Sequence, residues 1–120
     1  MSKILIVDDS KSMRQMIEMT LSDANHEVVS AEDGVDALAK SKQGGFDVVI
    51  TDINMPNMDG IQLIGKLREQ PEFETIPILC LTTESGNNMK SQGKAAGATG
   101  WLVKPFEPTK LLSALDRVLS

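Results

Sequence analysis

Five times along the chain, a short apolar run rich in β-branched residues gives way to a longer stretch whose apolar residues recur every three to four positions. A strand period followed by a helix period, repeated, is the pattern of βα units around a parallel sheet. A parallel connection must cross back over the sheet face, and a helix does so while satisfying its own backbone. The runs predict strands at Lys3–Val7, Val28–Ala31, Val48–Thr51, Ile78–Leu81 and Trp101–Val103. The first, third and fourth are nearly continuous apolar, as strands covered by helices on both faces must be, so these three are predicted as interior. The fold class is therefore α/β, a five-stranded, doubly wound parallel sheet of (βα)5 type. Met13, Met16, Ile17, Thr20 and Leu21 fall on one side of the first helix, and Leu111, Leu112, Leu115, Val118 and Leu119 on one side of the last, which predicts both sets as core.

Boundary chemistry agrees with this scheme. Ser10 and Asp33 are good N-cap types, Pro108 suits a first helical turn, Gly97 suits a helix C-terminus, and Asp59-Gly60 reads as a turn. The stretch from Ser85 to Ala96 carries Gly86, Asn87, Asn88, Ser91 and Gly93, each costing roughly 0.5–1 kcal/mol against Ala in a helix interior, and is predicted to be the softest helix. No linker is visible, and 120 residues match the usual size of one domain. A single domain over 1–120 with no output domain is expected. The 17 acidic and 12 basic residues show no basic stripe that could track phosphates, so nucleic acid is not an expected partner. Apolar runs of four or five residues predict no membrane insertion, and a cytoplasmic location is expected. Cys80 reads as a small buried strand residue and His26 as an exposed turn residue, neither with a chemical role.

The chemistry lies at the strand ends. Asp8 and Asp9 follow "KILIV", Asp52 follows "DVVIT", Thr82 follows "ILCL" and Lys104 follows "GWLV". In flavodoxin-like sheets of order 2-1-3-4-5, an order adopted from known folds of this class, the first and third strands are neighbours about 4.8 Å apart, and ligands bind beyond their C-terminal ends. That topology predicts one pocket holding Asp8, Asp9 and Asp52, with Thr82 and Lys104 on its other wall. Three carboxylates against one lysine leave a formal excess on the order of −2, which favours a divalent cation with oxygen ligands, and Mg²⁺ fits phosphoryl chemistry. Asp52 ends the central strand and is predicted as the nucleophile.

The segments "KILIVDDS", "VVITDINMPNMDG", "LCLTTES" and "GATGWLVKPF", in this order and at these separations, resemble the response-regulator receiver domain of two-component signalling over the whole chain. The similarity is strongest to single-domain chemotaxis regulators. It implies Asp52 as phosphoacceptor, and Asp8 and Asp9 as the acidic pair that holds Mg²⁺ with Asp52 and the backbone carbonyl of Asn54. It further implies Thr82 as switching hydroxyl, Lys104 as phosphate partner, a cis bond before Pro105, and Asn54 and Glu84 as tuners of dephosphorylation. Trp101 stands where this family usually carries a Tyr or Phe that changes rotamer on activation, and Ser10 where a larger apolar residue is common. The implied phosphodonor is a histidine kinase of the CheA type. Implied outputs are a flagellar motor switch protein, a phosphatase, or service as a phosphate sink. The protein would be a monomeric switch limited to its own phosphoryl uptake and loss, not an enzyme.

Two other classes fit less well. A phosphohydrolase of haloacid-dehalogenase type also uses an aspartyl nucleophile with Mg²⁺, but it carries the nucleophile on the first strand with a second Asp two residues later, where this chain has Asn54. A flavin carrier needs a phosphate-cradling first loop, and "DDSKSM" is acidic.

Overall fold

The apolar runs form β1 (Lys3–Val7), β2 (Glu27–Ala31), β3 (Val48–Asp52), β4 (Ile78–Thr82) and β5 (Gly100–Val103) in the computed structural model, which describes residues 2–53, 55, 57–82, 87–103 and 107–119, the side chains of 87–90 apart. All neighbouring strands pair in parallel, in the order β2-β1-β3-β4-β5. The three strands predicted as interior are the three interior ones. β3 and β4 are buried at every position, which is why their sequences show no alternation. Each runs one residue further than its apolar run: Asp52 pairs opposite Leu81, and Thr82 opposite Val103. Ladder bonds use only the backbone, so a polar side chain does not end them.

Five helices alternate with the strands: α1 (Lys11–Asp23), α2 (Gly34–Ser41), α3 (Gly60–Arg68), α4 (Asn87–Ala96) and α5 (Pro108–Leu119), with a short 3-10 turn at Pro71–Phe73. Strand alternation divides the core into two layers. Ile4, Ile6, Val48, Ile50, Leu79 and Leu81 face Ile17 and Leu21 of α1 and Leu111 and Leu115 of α5. Leu5, Val7, Val49, Ile78 and Cys80 face Ala37 of α2 and Leu63, Ile64 and Leu67 of α3, with Ala96 and Trp101 packed alongside.

The predicted caps form. Ser10 Oγ accepts from the Met13 N–H at 3.3 Å, Asp33 Oδ1 accepts from the Asp36 N–H at 2.8 Å, Pro108 opens α5, and Gly97 after α4 has φ +113°, a conformation an L side chain resists. Two expectations are corrected. Met16 is 46% exposed, because each residue advances about 100° around the helix and the stripe through Met13, Ile17 and Leu21 leaves it outside; Thr20 is half-buried and its hydroxyl donates to the Met16 carbonyl. Asp59-Gly60 is a helix start, not a free turn. The Asp59 carboxylate accepts from the Gln62 N–H at 2.8 Å, and the Gln62 side chain accepts from the Asp59 N–H at 3.1 Å, a reciprocal capping box.

Candidate functional site

The pocket arises where the chain changes direction across the sheet. From β1 it crosses to β2 on one side, and from β3 it crosses to β4 on the other, so the two loops part above adjacent strand ends. Val7 pairs with Thr51, which brings the next residues, Asp8 and Asp52, side by side. Asp8, Asp9 and Asp52 each offer a carboxylate oxygen, and these oxygens lie within 4.8 Å of one another. Asp8 is fully buried and Asp52 only 6% exposed, while Asp9 is open to solvent.

Asp8 is fixed from every side. Its N–H donates to the Ala31 carbonyl at 3.2 Å, its Oδ1 accepts from the Ser10 N–H at 2.8 Å, and its carbonyl accepts from Arg14 Nη1 at 2.6 Å. Asp52 Oδ1 accepts from the Ile53 N–H at 2.8 Å. Behind Asp52, α3 presses against the backbone: the Gly60 N–H donates to the Ile53 carbonyl at 2.8 Å, and any Cβ on Gly60 would collide with the Asp52 carbonyl oxygen. Gly60 therefore allows the helix to buttress the Asp52 segment at backbone distance.

Three carboxylates so close repel one another by several kcal/mol, since one pair of unit charges about 5 Å apart costs on the order of 3 kcal/mol at an effective dielectric of 20. Hard anionic oxygens at this spacing, with Asp9 on the solvent side, fit a small divalent cation such as Mg²⁺. Asp52, nearly buried at the end of the central strand, is then placed to act as an oxygen nucleophile.

Residues 4–116 match the model of the response regulator receiver domain. The chain belongs to that family. Among curated relatives of this receiver domain, a chemotaxis protein CheY homolog of Campylobacter jejuni is 41% identical over 119 residues, covering 98% of this chain and 92% of the relative. The solved structure of chemotaxis protein CheY4 of Vibrio cholerae superimposes with a TM-score of 0.97 at 54% identity, covering 99% of both chains. A more distant structure, the receiver domain of the sensor histidine kinase PA1611 of Pseudomonas aeruginosa PAO1, has a magnesium ion coordinated in its active site cleft. It is 26% identical with a TM-score of 0.91, covering 98% of this chain and 97% of that one. The present chain is thus a receiver domain of the CheY-like chemotaxis kind, and such receiver domains act as phosphoacceptor switches.

The structure brings Asp8, Asp9 and Asp52 together as predicted. Thr82 is fully buried at the end of β4, beside β3. Trp101 on β5 pairs opposite Cys80, so it lies one pleat below Thr82 on the same face of the sheet. Asn54, Glu84, Lys104 and Pro105 lie outside the described residues. His26 is half-buried, its Nδ1 accepting from the Ser2 N–H, and it precedes β2 at the opposite end of the sheet from the pocket. Burial pushes the Cys80 thiol up to about 12, which makes it inert at neutral pH. No helix among the described residues is long and apolar enough to cross a membrane.

Sequence reasoning missed Arg14 and Gly60. Arg14 stands four residues after the cap Ser10, where a side chain on the first turn of α1 can reach back to the end of β1. That spacing is legible in the sequence. Gly60 follows an Asp in what reads as a turn, and its need for close approach shows only when α3 is set against β3.

Proposed function

We propose that this receiver domain, acting as a single unit over 1–120, is a Mg²⁺-dependent phosphoacceptor switch in chemotaxis signalling. Asp52 takes the phosphoryl group from a histidine kinase of the CheA type. The observation that carries this reading is the gathering of Asp8, Asp9 and the nearly buried Asp52 within 4.8 Å. An Asp52 carboxylate oxygen attacks phosphorus, the bond from phosphorus to the donor nitrogen breaks, and the departing imidazole takes up a proton. Asp8 and Asp9, with Asp52 and the carbonyl of Asn54, would hold the metal. When bound, Mg²⁺ would neutralise charge on the phosphoryl oxygens, and the magnesium in the active site cleft of the more distant receiver domain supports the choice of metal. The Lys104 ammonium pairs with a phosphoryl oxygen and the Thr82 hydroxyl donates to another, which draws Thr82 toward the pocket. Asn54 and Glu84 tune how readily water attacks the acyl phosphate, as the family resemblance implies.

Output follows as phosphorylation-dependent binding to a partner such as the flagellar motor switch, or as a phosphate sink for a shared kinase, in a cytoplasmic monomer. Wild-type protein incubated with acetyl phosphate and Mg²⁺ is expected to gain acid-labile phosphate. Asp52→Asn or excess EDTA should abolish it, and Asp9→Ala should raise the Mg²⁺ requirement. Undiminished labelling of Asp52→Asn would remove Asp52 from the reaction. Asn54→Arg with Glu84→Leu should lengthen the phosphoryl lifetime while leaving uptake intact.

A further inference from the structure

Trp101 is half-buried on β5, yet its indole Nε1 is fully buried and has no hydrogen-bond partner among the described residues. The other edge of the ring is turned toward α4. A Cβ added at Gly93 would lie 2.5 Å from Trp101 Cζ3, 3.3 Å from Cη2 and 3.4 Å from Cε3. Gly93 is buried in the body of α4, where its backbone conformation is one any residue adopts and where glycine is a poor helix former. Backbone freedom therefore does not explain a glycine here. Room for the indole does.

We infer that Gly93 is the positioning residue for the switch aromatic: by lacking a side chain it opens the slot on α4 in which the Trp101 indole rests before phosphorylation. The inference rests on the reading of Trp101 as the group that moves. A Trp in place of the family's usual Tyr or Phe needs more space, and glycine supplies it. Nothing among the described residues accepts from the indole N–H, so leaving the slot forfeits no hydrogen bond to them.

The slot is rigid on one side and open on the other. One turn beyond Gly93, the end of α4 is pinned: the Gly97 and Ala98 N–H groups donate to the Gly93 carbonyl at 3.1 and 2.9 Å, and Arg68 Nε and Nη2 donate to the Gly97 carbonyl at 3.1 and 2.6 Å. The helix end is thus held against retreat from an added methyl group. Trp101, by contrast, lines an open groove of about 310 Å³ on the α4 side of β5, beside Lys94 and Ala98. A side chain at position 93 would therefore move the ring and leave the helix in place.

Gly93→Ala tests this in the full chain. In Mg²⁺-loaded, unphosphorylated protein, emission from the only tryptophan is expected to shift to the red and iodide quenching to rise, and the further change on adding beryllofluoride should shrink. The melting temperature should fall in the wild-type background. The same substitution in a Trp101→Ala background should raise it, because alanine is then only the better helix former. Failure of Gly93→Ala to fold while it folds in the Trp101→Ala background is the same result in stronger form. An unchanged emission maximum, or a melting shift of the same sign in both backgrounds, overturns the inference, as does failure to fold in both. These resting-state readouts do not depend on phosphorylation. Their failure would leave the role of Asp52 standing, and failure to label Asp52 would leave the slot standing.

Discussion

The half of the sheet that holds the acidic pocket and the half that ends in Trp101 are built to different standards. β3 is buried at all five positions, whereas no residue of β5 is fully buried and Val103 is 43% exposed. α1, α2 and α3 each start on a side-chain cap, α3 on a reciprocal one. α4 instead contains Asn87, Asn88, Ser91 and Gly93 within ten residues. The N–H, carbonyl and carboxylate of Asp8 are all engaged, while Trp101 buries a donor with no acceptor among the described residues. A pocket for phosphoryl transfer works by preorganised geometry, and rearrangement there would cost rate. A readout surface works by having two arrangements close in free energy, which well-satisfied packing would prevent.

Substitutions matched in the two halves break or sharpen this contrast. Ile50→Ala on β3 should cost about 3 to 4 kcal/mol in urea unfolding, because the cavity forms where neighbours on both faces are fixed. Gly60→Ala should cost about 2 to 3 kcal/mol, since its Cβ meets backbone that cannot turn aside. It should also slow labelling of Asp52. If Gly60→Ala is neutral, the pocket half is softer than its packing implies.

Cys80 reports on the seam between the halves, opposite Trp101. Burial raises its thiol from an ordinary 9.0 to about 12, so the folded state favours the protonated form. That contribution is complete below pH 9 and is lost as pH rises from 9 toward 12. Wild type should therefore lose stability relative to Cys80→Ala by on the order of 1 kcal/mol per pH unit above 9. Parallel stability curves across that range would mean the thiol already meets water along the seam.

Smaller effects complete the series. Asp59→Ala removes the cap of α3 and should cost about 1 kcal/mol. Val103→Ala, on the exposed end of β5, should fall within about 0.5 kcal/mol of wild type. A Val103→Ala cost near that of Ile50→Ala would erase the distinction between the two halves.

The sequence by itself determined the five βα units, the three interior strands, the caps at Ser10 and Asp33 and the polar residues at the strand ends. Those follow from hydrophobic period and turn chemistry, which act between residues close in the chain. Its errors are where rotation or contact between elements decides. Met16 lies on the predicted stripe of α1 but falls outside the sector that the sheet covers. Asp59-Gly60 has the composition of a turn until α3 is laid against β3. Only the tertiary structure brought the carboxylates of Asp8, Asp9 and Asp52 within reach of one ion, bent Arg14 back onto Asp8, and set Gly93 beneath the indole of Trp101. Each of these pairings depends on strand register and helix rotation together, and both become fixed only when the two core layers close on the sheet.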